Sequence, residues 1–277
     1  MSTRINHNIL SLTAQRNLQA TQTQLDQAVT RLSSGLRINT ASDDPAGLAI
    51  SERFRGQIAS MDEAERNANY DVNLLNTAEG ALSVIDEKLT RMRALSVEAS
   101  NGAMTDKDRA ILNTEFQALG SEITRIAQVT NYNGLNLLNG DFSSTQIRFH
   151  IGTYAVSGQD YYGINLGSVT ASALGLSSID LTTTTNANAA ITAIDGAIGS
   201  KDVQRTQIGA YVERLQNTIL NLQSSNENAV KSESTIRDAD IAAEMSNYTR
   251  AQILMQSGVA MLSQANQVPS MIAQLIG

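Results

Sequence analysis

The 277-residue chain has no cysteine and no tryptophan, two prolines, and an aromatic content of 4%. Without cysteine there is neither a disulfide framework nor a thiol nucleophile. Scarce proline leaves long segments free to continue as helix. Scarce aromatics beside long periodic segments point to an extended helical protein rather than a compact globule. The formal charge of −7 argues against a nucleic-acid partner, whose binders carry basic patches. The sharpest shortage is local. Residues 251–277 contain no Asp, Glu, Lys, Arg or His, and the only formal charges from Ile5 to Thr30 are Arg16 and Asp26.

An uncharged chain end invites a membrane reading, and the residues argue against it. Gln252, Gln256, Ser257, Ser263, Gln264, Asn266, Gln267 and Ser270 interrupt the stretch, and Pro269 is expected to break it. No membrane span is expected. The first twenty residues lack the apolar run of a Sec-type signal peptide, so any export is expected to use another route.

What is present is heptad periodicity. Leu18, Leu25 and Leu32 recur every seven residues, with Val29 assigned to the same face. At the other end Ile241, Met245, Tyr248, Gln252, Met255, Val259, Leu262 and Asn266 step by four and three and predict a second seam. Further apolar residues (Ile253, Leu254, Met261) lie off that seam, so more than one face wants burial. These charge-poor helices are expected to pair.

Between them, Asp44-Pro45 reads as an N-cap and first helical residue, opening a helix to Ala99 with a ladder from Ala64 to Met92. Thr105 with Asp108 resembles a capping box before Leu112, Phe116, Leu119, Ile123 and Ile126. From Gly140 to about Ala187 the character changes. Ile147, Phe149 and Ile151 alternate with polar residues as a strand, Tyr162–Val169 suggests another, and Thr182–Thr185 reads as a polar linker. Helix is expected again near Ala189, with a ladder from Ile208 to Ile236, and a phase slip at Arg237–Asp240 marks a joint. The expected fold is mostly α: an elongated rod of long antiparallel, coiled-coil-like helices folded back on itself, with a small β-hairpin region mid-chain. The expected domains are an inner pair (1–36 with 241–277) and an outer part (37–240) that includes the β-rich segment 140–187.

No catalytic constellation is visible. The two histidines, His7 and His150, stand apart, no metal motif occurs, and Asp43-Asp44 beside Pro45 reads as capping. An enzyme is not expected, and neither is a cofactor or metal.

Three stretches carry a resemblance. Arg31–Ser51 (RLSSGLRINTASDDPAGLAIS), Thr130–Gly140 (TNYNGLNLLNG) and Ile236–Pro269 (IRDADIAAEMSNYTRAQILMQSGVAMLSQANQVP) resemble, in order, signatures of bacterial flagellins. The resemblance covers most of residues 1–140 and 187–277, and implies a secreted subunit of the extracellular flagellar filament that polymerises with itself. Terminal helices would form the filament core, with Leu18, Leu25, Leu32, Ile241, Met245, Met255, Val259 and Leu262 as self-assembly residues. It implies export through the flagellar type III apparatus, a secretion chaperone, and cap and junction proteins as partners. It leaves room for no large outer variable domain. It also matches Arg91, Leu95 and Glu115 to a patch for subunit contact and for the Toll-like receptor for flagellin. The rival readings are a hook–filament junction protein, which shares the terminal helices, and a coiled-coil interaction module, which would not need charge-poor ends.

Overall fold

A computed structural model describes residues 7–276, without the side chains of 269, 270 and 272–276. Ile5 therefore lies outside the described residues. Five helices occur in order: α1 (Ile9–Ser34), α2 (Pro45–Ala99), α3 (Asp106–Val129), α4 (Thr184–Arg237) and α5 (Ile241–Ile276). Two hairpins lie between α3 and α4: β1 (Asn131–Tyr132) with β2 (Leu135–Asn136), and β3 (Ile147–His150) with β4 (Tyr161–Ile164), both antiparallel. The chain is thus mainly α with a small β region, as its periodicities predict.

Local chemistry sets the boundaries. Asn8 caps α1, accepting from the Ser11 amide at 3.0 Å, and Gly35 ends it at φ 72°, a left-handed C-cap that suits glycine. Asp44 accepts from the Gly47 amide at 2.9 Å and starts α2. Thr105 and Asp108 form a reciprocal capping box on α3. Asn133 and Gly134, at φ 51° and 82°, make the tight β1–β2 turn. Three boundaries differ from expectation. Helix α4 begins at Thr184 rather than near Ala189, because Thr183 caps it through the Asn186 and Ala187 amides. Strand β4 ends at Ile164, well before Val169. Helix α5 continues through position 269: proline removes one amide donor and strains the preceding turn, at a cost of about 3 kcal/mol, without forbidding the helix.

The chain divides into two compact units, one of residues 59–227 and one of residues 1–58 with 228–277. In the first, the ladder of α2 is buried as predicted: Leu75, Leu82, Ile85, Leu89 and Met92 pack in one cluster with Phe116 and Ile123 of α3, Phe149 and Ile164 of the hairpin, and Ile194, Ile208 and Leu215 of α4. Antiparallel α2 and α4 are fixed along their edges by Arg93–Asp195 (2.6 Å), Lys201–Asp86 and Arg205–Glu79 (2.7 Å). Arg109, nearly buried, donates to the carbonyls of Ala99, Asn101 and Met104 and ties off the turn between α2 and α3.

One rung of the α2 ladder is a carboxylate. Asp71 is half-buried and its Oδ2 lacks a hydrogen-bond partner; desolvation pushes its pKa up to about 7. Tyr162 lies within electrostatic reach, its hydroxyl also unpartnered and raised to about 12 mainly by burial, with the Arg214 guanidinium 4.1 Å from its ring centroid. A carboxyl whose folded pKa exceeds its unfolded one adds stability below the unfolded pKa and loses it as pH rises through about 7. Asp71→Asn is therefore expected to raise the melting temperature at pH 8 and to have progressively less effect towards pH 5, as followed by circular dichroism. An equal effect at both pH values would contradict the assignment.

Candidate functional site

With no constellation for chemistry in the sequence, the candidate site is the terminal pair α1–α5, in the unit of residues 1–58 and 228–277. The helices run antiparallel. Asn8 Nδ2 donates to the Ala265 carbonyl (2.8 Å), Ser11 Oγ to Asn266 Oδ1 (2.8 Å), and Arg31 pairs with Glu244 (3.6 Å). At the crossover, the Arg37 amide donates to the Arg237 carbonyl (2.7 Å) and the Ala239 amide to the Gly35 carbonyl (2.9 Å). Arg237 also donates to Glu52 (2.7 Å), which holds that carboxylate below its usual range. The predicted joint at Arg237–Asp240 is where α4 stops, and Asp240 caps α5 through the amides of Ala242 and Ala243.

The seam has a specific composition. On α1 the covered positions are Ala14, Leu18, Thr21, Leu25, Ala28 and Leu32; on α5 they are Glu244, Tyr248, Ala251, Met255, Gly258, Leu262 and Ala265. Each series steps by three and four, and large residues alternate with small ones. Leu18 lies directly over Gly258, where an added Cβ would stand 2.8 Å from a leucine methyl. The same register sets Leu25 opposite Ala251, and Met255 opposite Thr21. This is knobs-into-holes packing in which small residues form the holes.

Three of the eight positions expected on the α5 seam face α1. Tyr248, Met255 and Leu262 belong to it, but Ile241, Met245 and Val259 are 50%, 47% and 54% exposed, and Gln252 and Asn266 are exposed too. Bulky residues point to a stripe one position away from the one in contact at Met245 and Val259. The residues in contact alternate with them and are small: Ala251, Gly258 and Ala265. Val29, assigned to the α1 seam, is also exposed. The sequence signal was available in the seven-residue recurrence of small residues, Ala14-Thr21-Ala28 and Ala251-Gly258-Ala265.

Two apolar flanks are left uncovered. One carries Val29, Met245 and Val259; the other is a groove of about 360 Å³ lined by Leu10, Leu18, Leu254, Gly258 and Met261. Val29, Met245, Leu254, Val259 and Met261 are each about half exposed, so covering them fully is worth roughly 1 kcal/mol apiece.

The second predicted patch is rearranged. Arg91 and Glu115 meet in a bidentate ion pair (2.8 and 3.1 Å), but Leu95 is fully buried in the helical core and offers no surface. Leucine at that rung continues the α2 ladder, so core packing claims it. Asp43 accepts from the amides of Thr40 (2.9 Å) and Asn39 (3.1 Å), bonds that hold its carboxyl below its usual range; it organises a loop. His150 stacks on Tyr161, whose ring Arg148 also covers. Among the described residues no helix is long and apolar enough to cross a membrane.

Residues 5–143 match the bacterial flagellin N-terminal helical region, and residues 191–276 match the bacterial flagellin C-terminal helical region. The chain belongs to the bacterial flagellin family. It is 42% identical over 272 residues to a flagellin of Halalkalibacterium halodurans, covering 98% of this chain and 99% of that one. A flagellin of Bacillus subtilis is 39% identical over 303 residues, covering 99% of each. A flagellar filament 33 kDa core protein of Treponema phagedenis is 38% identical over 286 residues, covering 98% and 99%. Among solved structures, the crystal structure of Bacillus cereus flagellin superposes with a TM-score of 0.50 at 28% identity, covering 60% of this chain and 94% of that one. A putative flagellar hook-associated protein from Vibrio parahaemolyticus aligns with a TM-score of 0.57 at 17% identity, covering 71% and 100%, and shares the fold alone. This flagellin is a structural subunit of the bacterial flagellar filament, and the junction-protein reading has less support.

Gly258→Leu is expected to overpack the seam, at about 1–3 kcal/mol. It should lower the sedimentable fraction of polymerised subunit, and adding Leu18→Ala should restore part of the loss. Unchanged polymerisation by Gly258→Leu would contradict the close approach.

Proposed function

We propose that the α1–α5 seam closes within each subunit while its two uncovered flanks pack on neighbouring subunits as the inner layer of the filament. The observation that carries this reading is the pair of non-equivalent apolar flanks on helices with few charges. Such flanks join head to tail, and a head-to-tail contact whose rotation does not close makes an open helical polymer. Few charges are desolvated when those flanks are buried, which keeps the cost of burial low.

The finer assignments follow from the family. Residues 1–36 with 241–277 form the inner layer and 37–240 the outer one. The chain leaves the cell unfolded through the flagellar type III apparatus, held by a secretion chaperone, and joins a filament bounded by cap and junction proteins. The absence of cysteine suits that passage. The Arg91–Glu115 pair, without Leu95, is the surface offered to neighbouring subunits and to the Toll-like receptor for flagellin. The subunit's role is mechanical rather than catalytic.

Deleting residues 251–277 is expected to leave a soluble, partly helical chain that does not sediment as filaments and shows none by negative-stain microscopy. Normal filaments from the truncated chain would contradict the proposal.

A further inference from the structure

The α1–α5 seam repeats itself. Leucine recurs at 18, 25 and 32, and small residues at 251, 258 and 265, each seven apart. A slide of seven residues, about 10 Å of helix, would bring Leu18 to Ala265, Leu25 to Gly258 and Leu32 to Ala251. Every large residue would again meet a small one, so the apolar contacts by themselves tolerate more than one register.

One rung breaks the repeat. Glu244 occupies the next small slot in the α5 series, seven before Ala251, and is only 9% exposed. Its carboxylate lies 3.6 Å from Arg31 and accepts from Asn247 Nδ2 at 3.4 Å. A slide of one heptad in either direction carries Glu244 away from Arg31. A mostly buried charge that loses its counter-ion costs far more than the pair gains in place. Single polar residues inside heptad seams are known to fix register at some expense of stability.

We propose that Arg31 and Glu244 are positioning residues that select one register for the α1–α5 pair, a role the apolar seam does not perform. The competing anchor is the backbone crossover at Gly35–Arg37 and Arg237–Ala239, which sits near the same end of the pair. The inference rests on the filament reading only in placing this pair inside the polymer.

The cysteine-free chain makes disulfides clean reporters. Ser11→Cys with Asn266→Cys reads the observed register, because those side chains bond to each other. Ser11→Cys with Val259→Cys or Ala273→Cys reads a slide of one heptad either way. Each chain is oxidised both as soluble subunit and as filament, and intrachain products are separated on denaturing gels. With Arg31 and Glu244 present, only the 11–266 product should form. With R31A/E244A, which completes the run of small residues, the 11–266 yield should fall several-fold and a slid product should appear. The exchanged pair R31E/E244R should restore the 11–266 yield. An undiminished 11–266 yield in R31A/E244A would overturn the proposal and assign the register to the backbone crossover. If R31A/E244A is too unstable to read, R31E decides, because it sets two carboxylates against each other in the observed register: an 11–266 yield that falls in R31E and returns in R31E/E244R supports the proposal, and any other pattern overturns it. Oxidation of the soluble subunit reports the register whether or not a given chain polymerises, and polymerisation by the 251–277 truncation tests the filament reading separately.

Discussion

Two helices packed along a single seam cover one stripe of each and leave the remaining faces to other partners. In α1 and α5 that geometric limit governs the functional design. The stripe that closes within the subunit is built from leucine, tyrosine and methionine set into alanine, threonine and glycine, with Leu18 seated on Gly258. Because small residues take half of the seam, bulky ones such as Val29, Met245, Val259, Leu254 and Met261 remain outside it. The intrachain pair is formed by shape, and the outward faces hold apolar area in reserve. Amides in place of charges on those faces, such as Gln252 and Asn266, satisfy hydrogen bonds without the desolvation cost of ions.

The unit of residues 59–227 solves the opposite problem. It buries its ladders within itself, fully from Leu75 to Met92 on α2 and at Ile194, Ile208 and Leu215 on α4, with Val212, Ile219 and the hairpin's Tyr162 partly buried against them. Its charges pair across helices at the edges, where they orient packing more than they stabilise it. Asp71 is the exception, a half-buried carboxylate on an apolar rung within electrostatic reach of Tyr162, and its burial is expected to make this core sensitive to pH.

Much of this was legible in the residue pattern. Long apolar ladders, Asp44 before Pro45, and the Thr105–Asp108 box located α2 and α3 because burial and capping leave local signatures. What was illegible had physical reasons. Buried alanine and glycine look neutral in a sequence, so the pattern of bulky residues points to Met245 and Val259 rather than to Ala251 and Gly258. Leu95 matches a surface patch by motif, yet its rung belongs to the core. Glu244 appears as one more surface charge until Arg31, more than two hundred residues away in sequence, is seen beside it. Threonine-rich Thr182–Thr185 reads as linker because threonine favours helices weakly, and capping by Thr183 tips the balance.

The flanks of α1 and α5 lie open in the subunit and, in the proposed packing, are covered by neighbours in the filament. Amide hydrogen exchange tests it most directly, compared between soluble subunit and assembled filament for peptides from residues 9–34 and 241–268. Strong added protection is expected in those segments on assembly, with smaller changes in the buried ladder of α2 from Leu75 to Met92. Equal exchange of the terminal segments in the two states would contradict it.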